Sequence, residues 1–323
     1  MHPLSILLIL VTAGAAHAVY GHPAAAGTPA ARFWEEALPG TPMPESIATL
    51  VQEGIDHSPL MEHYSDFVPS GDMAELYKVY MNPTSKATAV AVPAGLFFLE
   101  AQLQLGGRMT ILFEPATVRP VLPRDVAQKV PFGDLADALG RFKIAPGSPQ
   151  AAVMGMTVRL CQAPLPADGQ KKACTTSLEG AVESAMEMLG GGGTNQGEQV
   201  MWAASSVLPR AGLPLQQYVV QAVTPLDGDR HVACHNMPYP YAVYYCHSTG
   251  SPTKAYQVLL RGLSGGPHQL ITMATICHLN TSNWDPEHPA FKMLHTQPGG
   301  APVCHSISYA SLLFGQKAAT PSV

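Results

Sequence analysis

The sequence predicts an α+β domain, with helical elements in its first half and antiparallel, β-rich structure in its second half, stabilised by disulfides. Two segments before residue 190 carry helix start and stop signals, and four runs rich in Val, Ile, Leu and Tyr follow residue 217. The chain has 323 residues with 6 cysteines and 13 histidines, and each of the last four cysteines is followed directly by histidine. These observations together indicate one large domain organised around its Cys-His dipeptides.

An apolar run opens the chain and ends in small residues, which is the pattern of a secretory signal peptide. Residues 6–11 are aliphatic, and Ala16-His17-Ala18 forms an A-x-A site, so we expect cleavage after Ala18. The apolar run is too short to cross a bilayer core about 30 Å thick. We therefore expect a secreted protein with no membrane anchor once the signal peptide, residues 1–18, is removed.

The remaining chain divides into an extension (19–94), a folded domain (95–316) and a short tail (317–323). Residues 33–44 form a compact aromatic and proline motif, Phe-Trp-Glu-Glu-Ala-Leu-Pro-Gly-Thr-Pro-Met-Pro. We expect Phe33 and Trp34 to pack back on the domain as an anchor. The alternative is that they are a lone peptide substrate.

Within the domain, helices come before strands. The segment from Pro123 to Lys129 starts with proline and an acidic first turn, which predicts a helix. Ser177 opens a second helix with a body at 181–189, and a glycine run at 190–193 stops it. The predicted strands cover 218–223, 242–245, 256–260 and 270–276.

Four Cys-His dipeptides within 72 residues are the most informative motif: Cys234-His235, Cys246-His247, Cys277-His278 and Cys304-His305. Neighbouring residues on a strand point to opposite faces of a sheet. We therefore expect four sulfurs on one side and four imidazoles on the other. A zinc finger separates its paired ligands by two or more residues, so this spacing argues against one. The pattern predicts cross-linking by the cysteines and a separate polar role for the histidines.

Secretion favours disulfides, and the even number of cysteines leaves none unpaired. Cys161 and Cys174 flank a turn-rich stretch, so we expect them to pair with each other. A loop of this size contributes about 3 kcal/mol in the chain-entropy model. Cys234, Cys246, Cys277 and Cys304 then pair among themselves, and the residues alone leave their connectivity open.

Composition excludes some functions. A net charge of −5 and a pI near 6.2 provide no basic surface for nucleic acid. The glycine run at 190–193 lacks the Lys-Ser/Thr of a phosphate-binding loop, and no nucleophile–base triad is recognisable.

The histidines suit copper, which accepts neutral imidazole, and paired cysteines leave no softer ligand. The candidate ligands are His235, His247, His278 and His305, with His231 as an additional candidate because it shares a strand face with His235. The alternative is ordinary structural hydrogen bonding. Protonation near the usual pKa of about 6.5 would make copper binding tight at pH 7 and weak near pH 5.

Asn280-Thr281-Ser282 is the N-glycosylation sequon of the chain, because proline excludes Asn82-Pro83. On a strand continuing past His278, Asn280 would share the histidine face. A glycan on Asn280 would then crowd a metal site.

The chain resembles the plant BURP-domain family, as a grass-type member. The resemblance rests on the order and spacing of the four Cys-His dipeptides, the Phe97-Phe98 start, the Cys161 and Cys174 pair and the 33–44 motif. It implies an extracellular or cell-wall plant protein linked to seeds, pollen or stress, with the vacuole as an alternative location.

The resemblance implies two different functions. One is a non-catalytic cell-wall or developmental protein, with a wall polysaccharide or a pectin-degrading polygalacturonase as partner. The other is a copper-dependent peptide cyclase that cross-links Tyr or Trp side chains. Residues 19–92 contain no repeated Tyr- or Trp-ended core peptide, which favours the non-catalytic function.

Overall fold

A computed structural model of the chain describes residues 25–56, 94–116, 118–130, 132–164, 171–190, 201–250, 252–264 and 269–316. The predicted signal peptide, its cleavage site after Ala18 and the tail 317–323 lie outside these described residues. In the described part, no helix is both long and apolar enough to cross a membrane. Helices and two antiparallel sheets confirm the predicted α+β class.

Most helices precede residue 190. The α-helices of the described residues are α1 (Pro29–Ala37), α2 (Glu45–Asp56), α3 (Arg124–Ala127), α4 (Leu135–Arg141), α5 (Pro149–Gln162), α6 (Leu178–Leu189) and, later in the chain, α7 (Pro289–Leu294). Capping sets the ends of α6, because the Ser177 hydroxyl accepts the Gly180 N–H at 3.2 Å and Gly190 ends the helix at a φ of 90°. Both predicted helices are confirmed, although α3 has only 4 residues.

The strands form two antiparallel sheets. They are β1 (Phe97–Leu99), β2 (Arg108–Phe113), β3 (Lys172–Thr175), β4 (Met201–Ala204), β5 (Leu213–Leu226), β6 (His231–Met237), β7 (Val243–Ser248), β8 (Thr253–Gly262), β9 (Leu270–His278), β10 (Val303–Ser306) and β11 (Leu312–Gln316). Sheet A has the order β1-β10-β9-β8-β5-β2, and sheet B has the order β3-β7-β6-β11-β4. The four predicted strands correspond to β5, β7, β8 and β9, each longer than predicted.

Sheet A curls so that its two edges approach each other. The Leu112 N–H on edge strand β2 donates to the Ala94 carbonyl, 2.9 Å away, just before the opposite edge strand β1. The curled sheet encloses a core of Phe98, Met109, Ile111, Phe113, Tyr218, Val220, Val258, Leu260, Ile271 and Met273, together with Cys277 and Cys304. The cysteines of β9 and β10 therefore face the inside of sheet A.

Sheet B is covered on its outer face by α6 and the N-terminal helices. Its core includes Ala181 and Val182 of α6, both fully buried, and Trp34 of α1, which is 1% exposed. The Trp34 indole N–H donates to the Thr41 carbonyl at 2.8 Å, which ties the helix to the proline motif after it. The 33–44 motif therefore packs on the domain as an anchor, as predicted.

A smaller apolar cluster lies between the two sheets. It contains Ala233 and Leu313 from sheet B and Ala274 and Ile276 from sheet A. The face of β6 that carries Ala233 therefore looks toward the face of β9 that carries Ile276. Because side chains two residues apart share a strand face, His235 and His278 also point between the sheets.

Three disulfides cross-link these elements. They are Cys161–Cys174 between α5 and β3, Cys234–Cys246 between β6 and β7, and Cys277–Cys304 between β9 and β10. The predicted Cys161–Cys174 bond and the pairing of the other four among themselves are confirmed.

The expectation that all four sulfurs of the Cys-His dipeptides gather on one side is wrong. Cys234 and Cys246 lie beneath α6, with both sulfurs 4.0 Å from the Ala181 carbonyl, whereas the other two cysteines lie inside sheet A. Each pair belongs to a different sheet, and each sheet turns its sulfurs away from the other sheet.

Candidate metal centre

The strand register explains how each Cys-His pair is built. Cys234 lies directly opposite Cys246, and Cys277 lies directly opposite Cys304, with a Cα–Cα distance of 3.9 Å in both bonds. In an antiparallel pair, the residues that follow two opposed positions are diagonal neighbours on the other face, within reach of long side chains. An adjacent Cys-His dipeptide on each strand therefore produces a disulfide on one face and a histidine pair on the other.

The four predicted histidines do converge. The Nε2 atoms of His235 and His247 are 3.2 Å apart, and those of His278 and His305 are 3.4 Å apart. The two rings of each pair are nearly parallel, at 17° and 22°, and meet at their Nε2 edges, with ring centroids 5.3 and 5.5 Å apart. The ring centroids of His235 and His305 lie 6.2 Å apart across the two sheets. Imidazoles from both sheets therefore meet at one place, which we call the histidine centre.

Backbone carbonyls orient three of the four rings. Nδ1 of His247 lies 3.2 Å from the Ser248 carbonyl, and Nδ1 of His305 lies 3.2 Å from the Ser306 carbonyl. Nδ1 of His278 lies 3.0 Å from the Thr249 carbonyl. Because a carbonyl can only accept, each Nδ1 carries the proton and donates, so a neutral ring has its lone pair on Nε2. Such outer hydrogen bonds are typical of metal-binding histidines.

Burial keeps these rings neutral. His278 is buried and the other three are half-buried. Desolvation lowers the pKa of all four, and neighbouring histidines lower the pKa of His235 and His278 further. The pKa of His305 falls to about 4. The pH dependence of copper binding stays a prediction, and burial favours the neutral, lone-pair-bearing form of His305 below the usual pKa of about 6.5.

The nitrogen spacing fits a shared metal ion. Two imidazole nitrogens bound to one ion at roughly 2.0 Å each, in tetrahedral geometry, lie about 3.3 Å apart. Both Nε2 pairs match this separation. Within the described residues, however, no three His, Cys, Asp or Glu side chains stand close enough together to hold an ion as they are placed. The centre is thus two ligand pairs, not a finished coordination shell.

His231, the additional candidate, lies apart from the histidine centre. Its Nδ1 is 2.8 Å from the Thr253 hydroxyl, and its ring packs on Trp202 at 5.7 Å. His231 and His235 are separated by four residues along β6, which is roughly 13 Å in a strand. His231 and His235 share one face of β6, as predicted, but His231 packs beside Trp202 of the apolar cluster and not in the histidine centre.

An aromatic wall borders the His278 and His305 pair. The Trp284 ring lies 4.8 Å from the His278 ring at 68°, and the His288 ring lies 4.6 Å from Trp284. Phe97 completes the wall, 5.5 Å from His288 and 6.3 Å from His305. Sequence reasoning missed Trp284 and His288, because they lie outside the Cys-His dipeptides, in and after the loop that follows β9.

His288 differs chemically from the four. Its Nδ1 accepts the Ala290 N–H at 3.2 Å at the start of α7, so a neutral His288 carries its proton on Nε2. Its Nε2 therefore has no lone pair to offer a metal, and its pKa is lowered to about 4, first by burial and then by His305.

Asn280 does not share the histidine face, because β9 ends at His278. The Asn280 side chain is exposed, and its carbonyl oxygen accepts from the Ser282 N–H at 3.0 Å and from the Ser282 hydroxyl at 2.7 Å. Glycosylation of this exposed residue stays a prediction, but the reason for expecting a glycan to crowd the centre is removed.

Comparison with known proteins assigns most of the chain to one family. Residues 96–316 match the family model described as BURP domain. The chain is 42% identical over 238 residues to BURP domain-containing protein 13 of rice (Oryza sativa subsp. japonica), covering 72% of this chain and 56% of that protein. It is 44% identical over 226 residues to Protein RAFTIN 1A of wheat (Triticum aestivum), covering 68% of this chain and 55% of that protein. The chain thus spans just over half the length of these relatives.

Proposed function

Because the chain belongs to the BURP domain family, we propose that it is a secreted plant protein whose histidine centre binds copper for the oxidation of peptide Tyr or Trp side chains. Two pairs, His235 with His247 and His278 with His305, would offer their Nε2 atoms to copper. Copper in this position supplies one-electron redox chemistry.

One observation carries the proposal. The Nε2 atoms of His278 and His305 face each other at 3.4 Å, while both rings donate their Nδ1–H groups to backbone carbonyls. Two neutral rings oriented this way direct two lone pairs at each other. A metal ion held by the two Nε2 atoms would relieve this repulsion.

The surrounding residues support copper over zinc-finger chemistry. All six cysteines are in disulfides, so the donors are imidazoles alone. Imidazole nitrogen suits copper, and the disulfides beside the centre fix the strands that carry the ligands. The carbonyls of Ser248, Thr249 and Ser306 hold the rings in the ligating tautomer.

A substrate peptide would come from another molecule. The aromatic candidate in the N-terminal motif, Trp34, is 1% exposed, and its indole N–H is bonded to Thr41. Releasing it would unpack the cover of sheet B. Phe33 and Trp34 therefore serve the fold, and the peptide would be supplied in trans.

Copper content measured on secreted full-length protein tests this proposal. We expect His278→Ala/His305→Ala and His235→Ala/His247→Ala to lose copper while secretion persists, because the disulfides are unchanged. The matched control is His295→Asn, since His295 is exposed with φ 51° and Asn tolerates this conformation. Copper content equal to the parent in both double variants would refute a histidine-held ion. Copper bound without oxidation of an added Tyr-containing peptide would refute the cyclase activity alone.

The second candidate is a non-catalytic cell-wall or developmental role, with wall polysaccharide or a polygalacturonase as partner. Residues 19–92 contain no repeated Tyr- or Trp-ended core peptide, which favours this role. The test is binding of the purified full chain to pectin and to a polygalacturonase. Full glycan occupancy at Asn280 would add support for a wall protein, whereas the absence of binding to both partners would count against it.

Secretion to the cell wall, with the vacuole as the alternative, underlies both candidates. Three disulfides are typical of an oxidising compartment. N-terminal sequencing of the mature protein tests the route, and we expect Val19 as its first residue. A mature chain that retains residues 1–18 would contradict the predicted cleavage.

A further inference from the structure

Trp284 is the tryptophan next to the histidine centre. Its ring meets the His278 ring edge-on, with centroids 4.8 Å apart, and it is partly exposed to solvent. The loop that follows β9 holds it there, because the Trp284 N–H donates to the Thr281 carbonyl at 3.0 Å and Thr281 is 1% exposed. The Thr281 hydroxyl also accepts the Gly299 N–H at 3.1 Å. The indole is thus placed between solvent and a proposed copper ligand.

The other two tryptophans of the chain have structural surroundings. Trp34 is 1% exposed and Trp202 is 8% exposed. Each donates its indole N–H to a backbone carbonyl, Trp34 to Thr41 at 2.8 Å and Trp202 to Asp227 at 3.1 Å. Among the residues that the structure describes, the Trp284 indole N–H has no such bond. Trp284 therefore lacks the burial and the hydrogen bond that mark the other two as packing residues.

We propose that Trp284 is a self-oxidation site of the histidine centre: when the centre is loaded with copper, hydrogen peroxide would oxidise this indole before the other tryptophans. The inference rests on the proposed copper function. Electron-rich indole is among the most readily oxidised side chains, and Trp284 is the one held against a ligand ring. The aromatic packing of Trp284 on His278 and His288 keeps it in place.

The reaction balances as a hydroxylation of the indole ring by hydrogen peroxide. The O–O bond of the peroxide breaks, and one oxygen atom forms a C–O bond to the ring as a hydroxyl group. The ring C–H bond breaks, and its hydrogen leaves with the second hydroxyl as water. The indole loses two electrons, the peroxide gains them, and the side chain gains the mass of one oxygen atom.

Peptide mass spectrometry tests the proposal on the full chain. Protein loaded with Cu(II) is treated with hydrogen peroxide, and oxidation is measured separately at Trp34, Trp202 and Trp284. Zinc-loaded and metal-free protein receive the same peroxide, since zinc has no redox chemistry. Because Trp284 is more exposed than the other two tryptophans, peroxide should oxidise it more even without copper. The informative comparison is therefore Trp284 oxidation in copper-loaded protein against Trp284 oxidation in zinc-loaded protein. We expect copper to raise Trp284 oxidation on the order of tenfold or more, because the oxidant is produced beside it.

Two variants make the result specific. In His278→Ala/His305→Ala, the copper-dependent rise at Trp284 should disappear. Trp284→Phe keeps an aromatic edge on His278, so copper content should stay at the parent level. Total tryptophan oxidation in the copper-loaded variant should fall to the level of the zinc-loaded variant, because only Trp34 and Trp202 remain.

The outcomes separate the two proposals. Copper bound normally, with equal Trp284 oxidation in copper and zinc protein, would overturn the self-oxidation site and leave the copper centre intact. Unchanged total tryptophan oxidation in Trp284→Phe would also overturn it. Failure to bind copper at all would remove the proposed function, and the inference would fall with it.

Discussion

The two histidine pairs have nearly the same geometry, but the residues around them differ. Each comes from directly opposed cysteines with Cα atoms 3.9 Å apart, and each has Nε2 atoms 3.2–3.4 Å apart with rings within 17–22° of parallel. Outside the centre, the sheet A pair, His278 and His305, contacts Trp284 and Phe97, and His288 packs on both of these rings. In the sheet B pair, His235 and His247, the Tyr245 ring lies 5.4 Å from His247. Strand register thus fixes the geometry of each histidine pair, whereas the neighbouring residues come from strands (Phe97, Tyr245) and from the segment after β9 (Trp284, His288).

The largest expected effect on stability comes from α1, which packs on the outer face of sheet B, behind His235 and His247. Trp34→Ala should destabilise the protein by about 3–5 kcal/mol, because it removes a fully packed aromatic side chain from the core under α6. Urea unfolding measures this loss. The control is Glu36→Ala on the exposed side of α1, which should change stability by no more than about 0.5 kcal/mol. A Trp34→Ala protein as stable as the parent would show that the N-terminal helices are not part of the folded unit.

Removing each disulfide compares the two pairs directly. Cys234→Ala/Cys246→Ala opens a bond of sequence separation 12, and Cys277→Ala/Cys304→Ala opens one of separation 27. The chain-entropy model gives losses of about 2.8 and about 3.5 kcal/mol, so the sheet A variant should be the less stable one by about 0.7 kcal/mol. Urea midpoints of both variants measure the difference. The opposite ranking would mean that native packing around the bonds, and not loop length, controls their contributions.

Acid should lower the stability of the metal-free protein, because burial keeps the rings of both histidine pairs in their neutral form. Burial lowers the pKa of all four rings, to about 4 for His305, while the unfolded rings titrate near about 6.5. Between these values the unfolded chain binds more protons, so stability is complete above about pH 6.5 and falls as the pH drops toward about 4. Thermal unfolding at stepped pH measures this. A melting temperature that stays flat from pH 6.5 to 4.5 in the parent would contradict buried neutral rings.

The sequence predicted the histidines of the centre better than their surroundings. Adjacent Cys and His on a strand must point to opposite faces, so the separation of the sulfurs from the imidazoles was predictable. The pairing of Cys234 with Cys246 was not, because it depends on the register between β6 and β7, and that register is a tertiary property. Trp284 lies in an irregular loop, where no periodic pattern predicts what a side chain contacts.

Electron paramagnetic resonance of the Cu(II)-loaded full chain tests the central claim most directly. If both pairs form one copper centre, the spectrum should show splitting from imidazole nitrogens. Removing either pair, by His235→Ala/His247→Ala or by His278→Ala/His305→Ala, should then abolish or change that signal, while His295→Asn should leave it unaltered. A spectrum identical to the parent in both double variants would contradict a copper site built from the two histidine pairs.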